Sequence, residues 1–169
     1  MRLFLVRHGT AEEKLGRPDP ERALTRQGRD EVGDVCGAIA AALDPPVQLL
    51  SSPYLRAEQT AEVIRELLKL DAKILPTEAL LPESDWPSLR GALEKLDVRG
   101  AETVVAVGHN PSISMMVGSI VAGQEDARIS MAKGAAACLD IEHLHGRPAG
   151  ELRWLVTPKA IRGARKGSA

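Results

Sequence analysis

The sequence predicts a three-layer α/β/α sandwich, a mainly parallel sheet with an antiparallel edge strand, covered by helices on both faces. Three observations carry this reading. Short apolar runs recur along the chain, namely Leu3-Phe4-Leu5-Val6, Val47-Gln48-Leu49-Leu50 and Val104-Val105-Ala106-Val107, and continuous apolarity over so few residues suits strands buried on both faces. Between the runs, apolar residues recur at helical spacing, as in Val32, Val35, Ile39 and Leu43, so strands alternate with amphipathic covering helices. Near the end, the runs at 136–141 and 152–156 are joined by a polar connection with Gly146, Pro148 and Gly150 and no long helical pattern, which reads as an antiparallel pair at a sheet edge.

At 169 residues the chain is long enough to bury one substantial core. Residues 1–158 are expected to form one domain, and the basic stretch 159–169, with its Gly and Ser, a disordered tail. A net charge of −1 offers no general attraction to nucleic acid or an acidic membrane, so any anion site must be a local cluster. Aromatic residues make up only 2% of the chain, which argues against a stacking platform for single-stranded nucleic acid. Cys36 and Cys138 both lie in apolar contexts and read as buried thiols of a reducing compartment. The first apolar run is interrupted at Arg7, too early for a secretory signal, and no segment reaches membrane-spanning length. A cytoplasmic location is the expectation.

The elements follow in order. After the first strand, residues 10–20 are polar and read as a loop above the strand's end. Thr25 is suited to cap the next helix, which should end before Asp44-Pro45-Pro46. After the second strand, Ser51-Ser52-Pro53 opens a helix with a serine as cap and Leu55, Val63, Ile64, Leu67 and Leu68 on one stripe. A short strand at 72–75 and a turn at Leu80-Leu81-Pro82 lead to a helix from Pro87, with Trp86 packed at its start and Leu89, Leu93 and Leu96 inward. The fourth strand ends at His109. Asn110 as cap and Pro111 in the first turn open a helix with Ile113, Met116, Val117, Ile120 and Val121 inward.

Function is concentrated at three strand ends. Arg7-His8-Gly9 follows the first strand, Gly108-His109-Asn110 the fourth, and Arg56 lies in the first turn of the helix after the second. In open α/β sheets ligands collect past the carboxyl ends of strands, and a first helical turn favours anions. Gly9 would allow close approach of the backbone to a ligand. Two guanidinium forks suit phosphate oxygens, and a neutral imidazole offers a lone pair as nucleophile. His143 and His145, spaced two apart with no further ligand nearby, read as solvated side chains.

These motifs, together with Leu24-Thr25 and Gly28, Ser51-Ser52-Pro53, Ala57 and Gln59-Thr60, taken in order, resemble the histidine phosphatase superfamily, also called phosphoglycerate mutase-like. The short chain, the segment Asp19-Pro20-Glu21-Arg22-Ala23-Leu24-Thr25 and the closing Trp154-Leu155-Val156-Thr157-Pro158 are most similar to the SixA-type phosphohistidine phosphatases. The resemblance implies that His8 is the phosphorylated nucleophile and that His109 binds phosphate and stabilises the transition state. Arg7 and Arg56 would hold the oxygens, and Arg22 is a candidate at the rim. No metal or cofactor is implied.

The chain departs from the wider family at Lys14, which stands where an asparagine is expected, and it has no clear glutamate acid. Glu83 and Asp85 are the candidates for a general acid, set against a reading as surface charges at a helix start. A missing acid favours phosphohistidine, because a phosphoimidazole can leave as neutral imidazole whereas an alkoxide must be protonated. The short connections after Gly9 and after Leu75 leave little chain for a large cap, so the expected substrate is a phosphorylated protein of a signalling or phosphotransfer system. The alternatives are a phosphomonoesterase or mutase acting on a small phosphorylated metabolite, and a non-catalytic phosphate-binding module.

Overall fold

Along the first strand, alternate side chains go to opposite faces of the sheet, and both faces are dry. Leu3 and Leu5 join one apolar cluster while Phe4 and Val6 join another. The structure is a computed structural model that describes residues 1–16, 18–95, 102–127, 129–146 and 148–167. Among these, strands β1 (Arg2–Arg7), β2 (Val47–Ser51), β3 (Ile74–Pro76), β4 (Thr103–Gly108), β5 (Ala136–Ile141) and β6 (Gly150–Val156) form one sheet in the order β3-β2-β4-β1-β5-β6. The helices are α1 (Arg26–Ala40), α2 (Leu55–Leu67), α3 (Trp86–Lys95), α4 (Ser112–Ala122) and α5 (Pro158–Gly167).

On one face, Leu3, Leu5, Leu50, Val104 and Ala106 meet Trp86, Leu89 and Leu93 of α3 and Ile113, Met116, Val117 and Ile120 of α4. On the other, Phe4, Val6, Leu49, Val105 and Val107 meet Val32, Val35 and Ile39 of α1 and Ala57, Ala61 and Ile64 of α2. A buried Val, Leu, Ile or Phe contributes about 1.5–3 kcal/mol. Exposed ion pairs contribute about 0–1 kcal/mol each. The two apolar layers therefore decide the stability, and the strands between them are held rigidly enough to aim the residues at their ends.

The predicted three-layer α/β sandwich is the one observed, with differences in detail. β1, β2, β3 and β4 run parallel, and β5 pairs antiparallel with β1. The antiparallel strand is thus second from the edge, and β6 at the edge is antiparallel to β5. The third strand begins at Ile74 rather than at residue 72. α1 stops at Ala40, so Leu43 lies past its end. Leu67 of α2 is 56% exposed rather than inward, while Leu68 and Leu70 just beyond it pack against the apolar layer. Leu96 lies outside the described residues.

Two expected caps are used for other purposes. α2 is preceded by Tyr54 without a side-chain cap, since the Ser52 hydroxyl faces His109. α4 likewise has no side-chain cap, because the Asn110 amide donates to the Met131 carbonyl and its oxygen accepts from Ser114. Thr25 does cap α1, accepting from the Gly28 N–H at 3.0 Å.

The stretch expected as a disordered tail is helical from Pro158 to Gly167, while residues 168–169 lie outside the described residues. Pro158 suits a first helical turn, Thr157 Oγ1 accepts from the Ala160 N–H, and Ile161 packs on the α1 side of the core. Arg162 and Arg165 both pair with Asp34 of α1, at 2.5 and 3.2 Å. A composition that reads as a solvated tail becomes an amphipathic helix once α1 offers an acid and an apolar seat.

Two glycines bring the loop after β1 against the start of α1. A Cβ on Gly9 would stand 2.4 Å from the Gly28 carbonyl oxygen, and one on Gly28 would stand 2.2 Å from the Thr10 carbonyl oxygen. Backbone oxygens cannot rotate away as a side chain can. Gly28→Ala should therefore destabilise by about 1–3 kcal/mol, a fall in Tm of roughly 2–4 °C per kcal/mol. Gly37→Ala, in the same helix with nothing within 4 Å of the added atom, should raise Tm, by about 0.5–1 kcal/mol in stability. Thermal unfolding of both variants checks this, and an unchanged Tm for Gly28→Ala would contradict the packing described.

Candidate active site

Parallel pairing of β1 with β4 brings Arg7 opposite Gly108, so His8 and His109 follow neighbouring strands at the same end of the sheet. The His8 N–H donates to the Gly108 carbonyl at 3.0 Å. β2 lies on the other side of β4, and the Ser52 N–H donates to the Val107 carbonyl at 2.9 Å. The three strand ends singled out in the sequence are therefore adjacent, and the two imidazole centroids lie 4.9 Å apart.

His8 is buried and oriented at both nitrogens. Nδ1 lies 2.7 Å from the Gly9 carbonyl oxygen. Since a carbonyl only accepts, Nδ1 carries the proton, and Nε2 presents a lone pair, which accepts from Arg56 Nε at 3.1 Å. Burial, with smaller contributions from Arg56, Arg7 and Lys133, pushes the His8 pKa down to about 4 against the opposing effect of the Gly9 bond. The ring is neutral at neutral pH, as a nucleophile requires.

Arg56 sits in the first turn of α2 and is 4% exposed. Its terminal nitrogens donate to Asp19, one to the carbonyl at 2.7 Å and one to carboxylate Oδ2 at 2.9 Å. The other carboxylate oxygen of Asp19 accepts from Arg22 at 2.8 Å, and Arg22 Nε donates to the Glu12 carbonyl. Asp19 thus joins Arg22 to Arg56, and the bonds from these guanidiniums hold its carboxyl below the usual range although burial opposes them. Sequence reasoning named Arg22 but not Asp19. The available signal was an acid three residues before Arg22 in a segment already picked out by resemblance.

Arg7 donates to the Met131 carbonyl at 2.7 Å, and its Nε is buried with no partner among the described residues. Burial lowers its pKa while Glu31 works against this, and a guanidinium stays charged throughout the working range. Glu31, 8% exposed, accepts from the N–H and hydroxyl of Thr10 and so pins the backbone after His8. Gly134, at φ +71°, donates to the carbonyls of Arg7 and His8. Sequence reasoning missed this loop before β5, including exposed Lys133, because its contribution is mostly backbone carbonyls that no motif records.

His109 is 1% exposed, and its Nε2 lies 2.8 Å from Ser52 Oγ. Its Nδ1 is buried with no partner among the described residues. Burial, followed by His8 and Arg56, pushes its pKa down to about 3 although Asp19 opposes this. The Tyr54 ring lies edge-on to it, with centroids 5.0 Å apart.

Gly9 does not present its N–H to the pocket. That group donates to Thr60 Oγ1, and the missing Cβ makes room for Gly28. Asp85 Oδ1 accepts from the Ser88 N–H and hydroxyl at the start of α3, which keeps its pKa below the usual range. Glu83 is exposed. Neither carboxylate is joined to the His8–Arg56 cluster by a hydrogen bond, and the capping bonds explain why Asp85 stands where it does. His145 Nε2 lies 3.0 Å from Glu94. Among the described residues, no three His, Cys, Asp or Glu side chains are grouped to hold a metal ion, and no helix is long and apolar enough to cross a membrane.

Buried neutral imidazoles facing guanidiniums are arranged for an anionic group and for nucleophilic attack on it. Residues 3–95 match the family model of the histidine phosphatase superfamily, branch 1. The chain is 30% identical over 142 residues to phosphohistidine phosphatase SixA of Escherichia coli K12, covering 83% of this chain and 86% of that protein. A solved structure of the protein histidine phosphatase SixA complexed with tungstate superposes with a TM-score of 0.81 at 25% identity, covering 95% of this chain and 99% of that one. At the level of fold alone, a putative alpha-ribazole-5'-P phosphatase of E. coli K-12 superposes with a TM-score of 0.66 at 16% identity, covering 94% and 98%. The chain belongs to the histidine phosphatase superfamily and is a phosphatase of that family.

Proposed function

We propose that this phosphatase hydrolyses phosphohistidine on a partner protein, through a covalent phosphoryl group on His8 Nε2. The observation that supports this best is the state of Asp19, the carboxyl bonded to Arg56. It is held ionised between two guanidiniums, and an ionised carboxylate cannot protonate a leaving alkoxide. A phosphoimidazole makes no such demand. Its far nitrogen takes a proton from solvent, and the group departs as neutral imidazole.

In this reading the His8 Nε2 lone pair attacks phosphorus in line with the substrate's P–N bond. A P–N bond to His8 forms as the substrate's breaks, and the leaving imidazole keeps that electron pair. The Gly9 carbonyl, accepting from Nδ1–H at 2.7 Å, steadies the positive charge that grows on the ring. Arg56 Nε, which donates to Nε2 in the free protein, turns its hydrogen bond to a phosphoryl oxygen. Arg7 supplies the second guanidinium, with Arg22 at the rim through Asp19 and His109 facing the transferred group. Water then attacks phospho-His8, the P–N pair returns to Nε2, and phosphate leaves. The similarity to SixA supports a phosphorylated protein as substrate, and the buried, unpaired Cys36 and Cys138 suit a reducing cytoplasm.

A phosphohistidine protein should be turned over far faster than sugar or other alkyl phosphates, and folded His8→Ala should be inactive on all of them. Turnover by His8→Ala near the wild-type rate would sink the nucleophile. Efficient wild-type hydrolysis of a small alkyl phosphate, with the phosphoprotein ignored, would move the enzyme to the small-metabolite reading.

Replacing the two remaining carboxyl candidates tests the acid. Glu83→Gln and Asp85→Asn should leave kcat/KM on phosphohistidine and on an aryl phosphate essentially unchanged. A positioned general acid would instead show a loss of ~10²–10⁴ on alkyl esters with little change on the aryl ester.

The depressed imidazoles also predict a pH effect on stability. With folded values of about 4 for His8 and about 3 for His109 against an ordinary 6.5, the unfolded chain binds more protons below about pH 6.5, so stability falls as pH drops through this window. In thermal unfolding between pH 6.5 and 4, His8→Ala should lose less stability than wild type. An equal or steeper fall would mean that His8 is not held neutral.

A further inference from the structure

Neutral imidazole has one N–H, so whether His109 can donate to an anion depends on which nitrogen carries it. Nε2 faces Ser52 Oγ at 2.8 Å, and Nδ1 is buried with no partner among the described residues. Ser52 is 0% exposed, so its hydroxyl cannot turn to bulk water. Its oxygen already accepts from the Tyr54 N–H at 3.3 Å. If it also accepted from His109 Nε2–H, two groups would go without partners among the described residues in a dry site, the hydroxyl proton and the Nδ1 lone pair. If instead Ser52 donates to Nε2, every polar atom of the pair is satisfied except Nδ1–H. That one remaining donor belongs to the imidazole that lies beside the His8 ring, and it can be satisfied by a phosphoryl oxygen.

From this juxtaposition we propose that Ser52 is a positioning residue, whose hydroxyl donates to Nε2 and fixes His109 in the Nδ1–H tautomer, making it a donor to the phosphoryl group. The inference rests on the phosphoryl site proposed above, and it adds what decides the donor's existence. Because burial and the neighbouring guanidinium keep His109 uncharged, protonation cannot supply a donor at both nitrogens. With Nε2–H instead, Nδ1 would carry only a lone pair and could not donate to an anion. Ser52 itself need not touch substrate. It is placed at this position by the end of β2, where its N–H continues the ladder to Val107, and this role explains why it does not cap α2.

The test reads the tautomer directly, on the full chain labelled with ¹⁵N-histidine, with the His109 signals identified among the four histidines by their loss in His109→Asn. At pH 7 wild type should show a protonated Nδ1 and an unprotonated Nε2 in His109, and Ser52→Ala should shift population towards Nε2–H while Ser52→Thr retains the wild-type pattern. With an aryl phosphate, Ser52→Ala should lower kcat by up to ~10², approaching the effect of removing one transition-state donor, with KM changed less, and Ser52→Thr should recover most of it. In a His109→Ala background, Ser52→Ala should cost no further activity. A protonated Nε2 in wild type overturns the proposal, as does an unchanged tautomer in folded Ser52→Ala or an equal loss in the His109→Ala background. The wild-type spectrum decides even if Ser52→Ala does not fold. The spectrum is also independent of turnover, so a wrong substrate class would leave it standing while a wrong tautomer would not.

Discussion

The pairing of β1 with β4 sets the geometry on which this site depends. Parallel register places Arg7 opposite Gly108, and one residue further along each strand delivers an imidazole to the same dry spot. Two histidines alone in such a place would be unremarkable core residues. Two histidines beside Arg7 and Arg56 are different, since burial and the cations all oppose protonation. The outcome is a pair of neutral rings, to which the proposals above give distinct duties, one offering a lone pair and the other, through Ser52, an N–H. Fixed polar groups in a low-dielectric site need little reorganisation as charge develops.

A buried guanidinium without an anion is costly, and the free protein meets this cost in two ways. Arg56 is covered by Asp19, which Arg22 also holds, and by the Tyr54 ring at 4.9 Å. Arg7 is partly satisfied by the Met131 carbonyl and stabilised by the negative charge of Glu31. The same carboxylate that balances Arg56 is thereby kept ionised, so charge balance and the lack of a proton donor at that point have one cause. That links the electrostatics of the resting site to the class of leaving group the proposed function assigns.

Support for the site comes from groups that do no chemistry. Gly9 and Gly28 let the loop after β1 lie against α1, and Glu31 ties Thr10 to that helix. The loop before β5 contributes carbonyls to Arg7 and Asn110 and N–H bonds to the backbone at Arg7 and His8. A misplacement of about 1 Å can slow a reaction on the order of 10²-fold, so these contacts bear on rate as directly as on stability.

From the residues alone, the alternation of apolar runs with helical stripes determined the layered fold, and the motifs Arg7-His8-Gly9, Arg56 and Gly108-His109 determined which side chains meet. Both are legible because burial on two faces and delivery at strand ends are local consequences of composition and period. What only the tertiary structure decided depends on partners distant in sequence. Asp19 reaches Arg56 across 37 residues and Ser52 reaches His109 across 57, so no local pattern could say that one serves charge balance and the other faces an imidazole. The same reason covers α5, whose basic residues find Asp34 from 128 and 131 positions away. It also covers Ser52 and Asn110, which local rules assign to helix caps and which long-range hydrogen bonds claim instead.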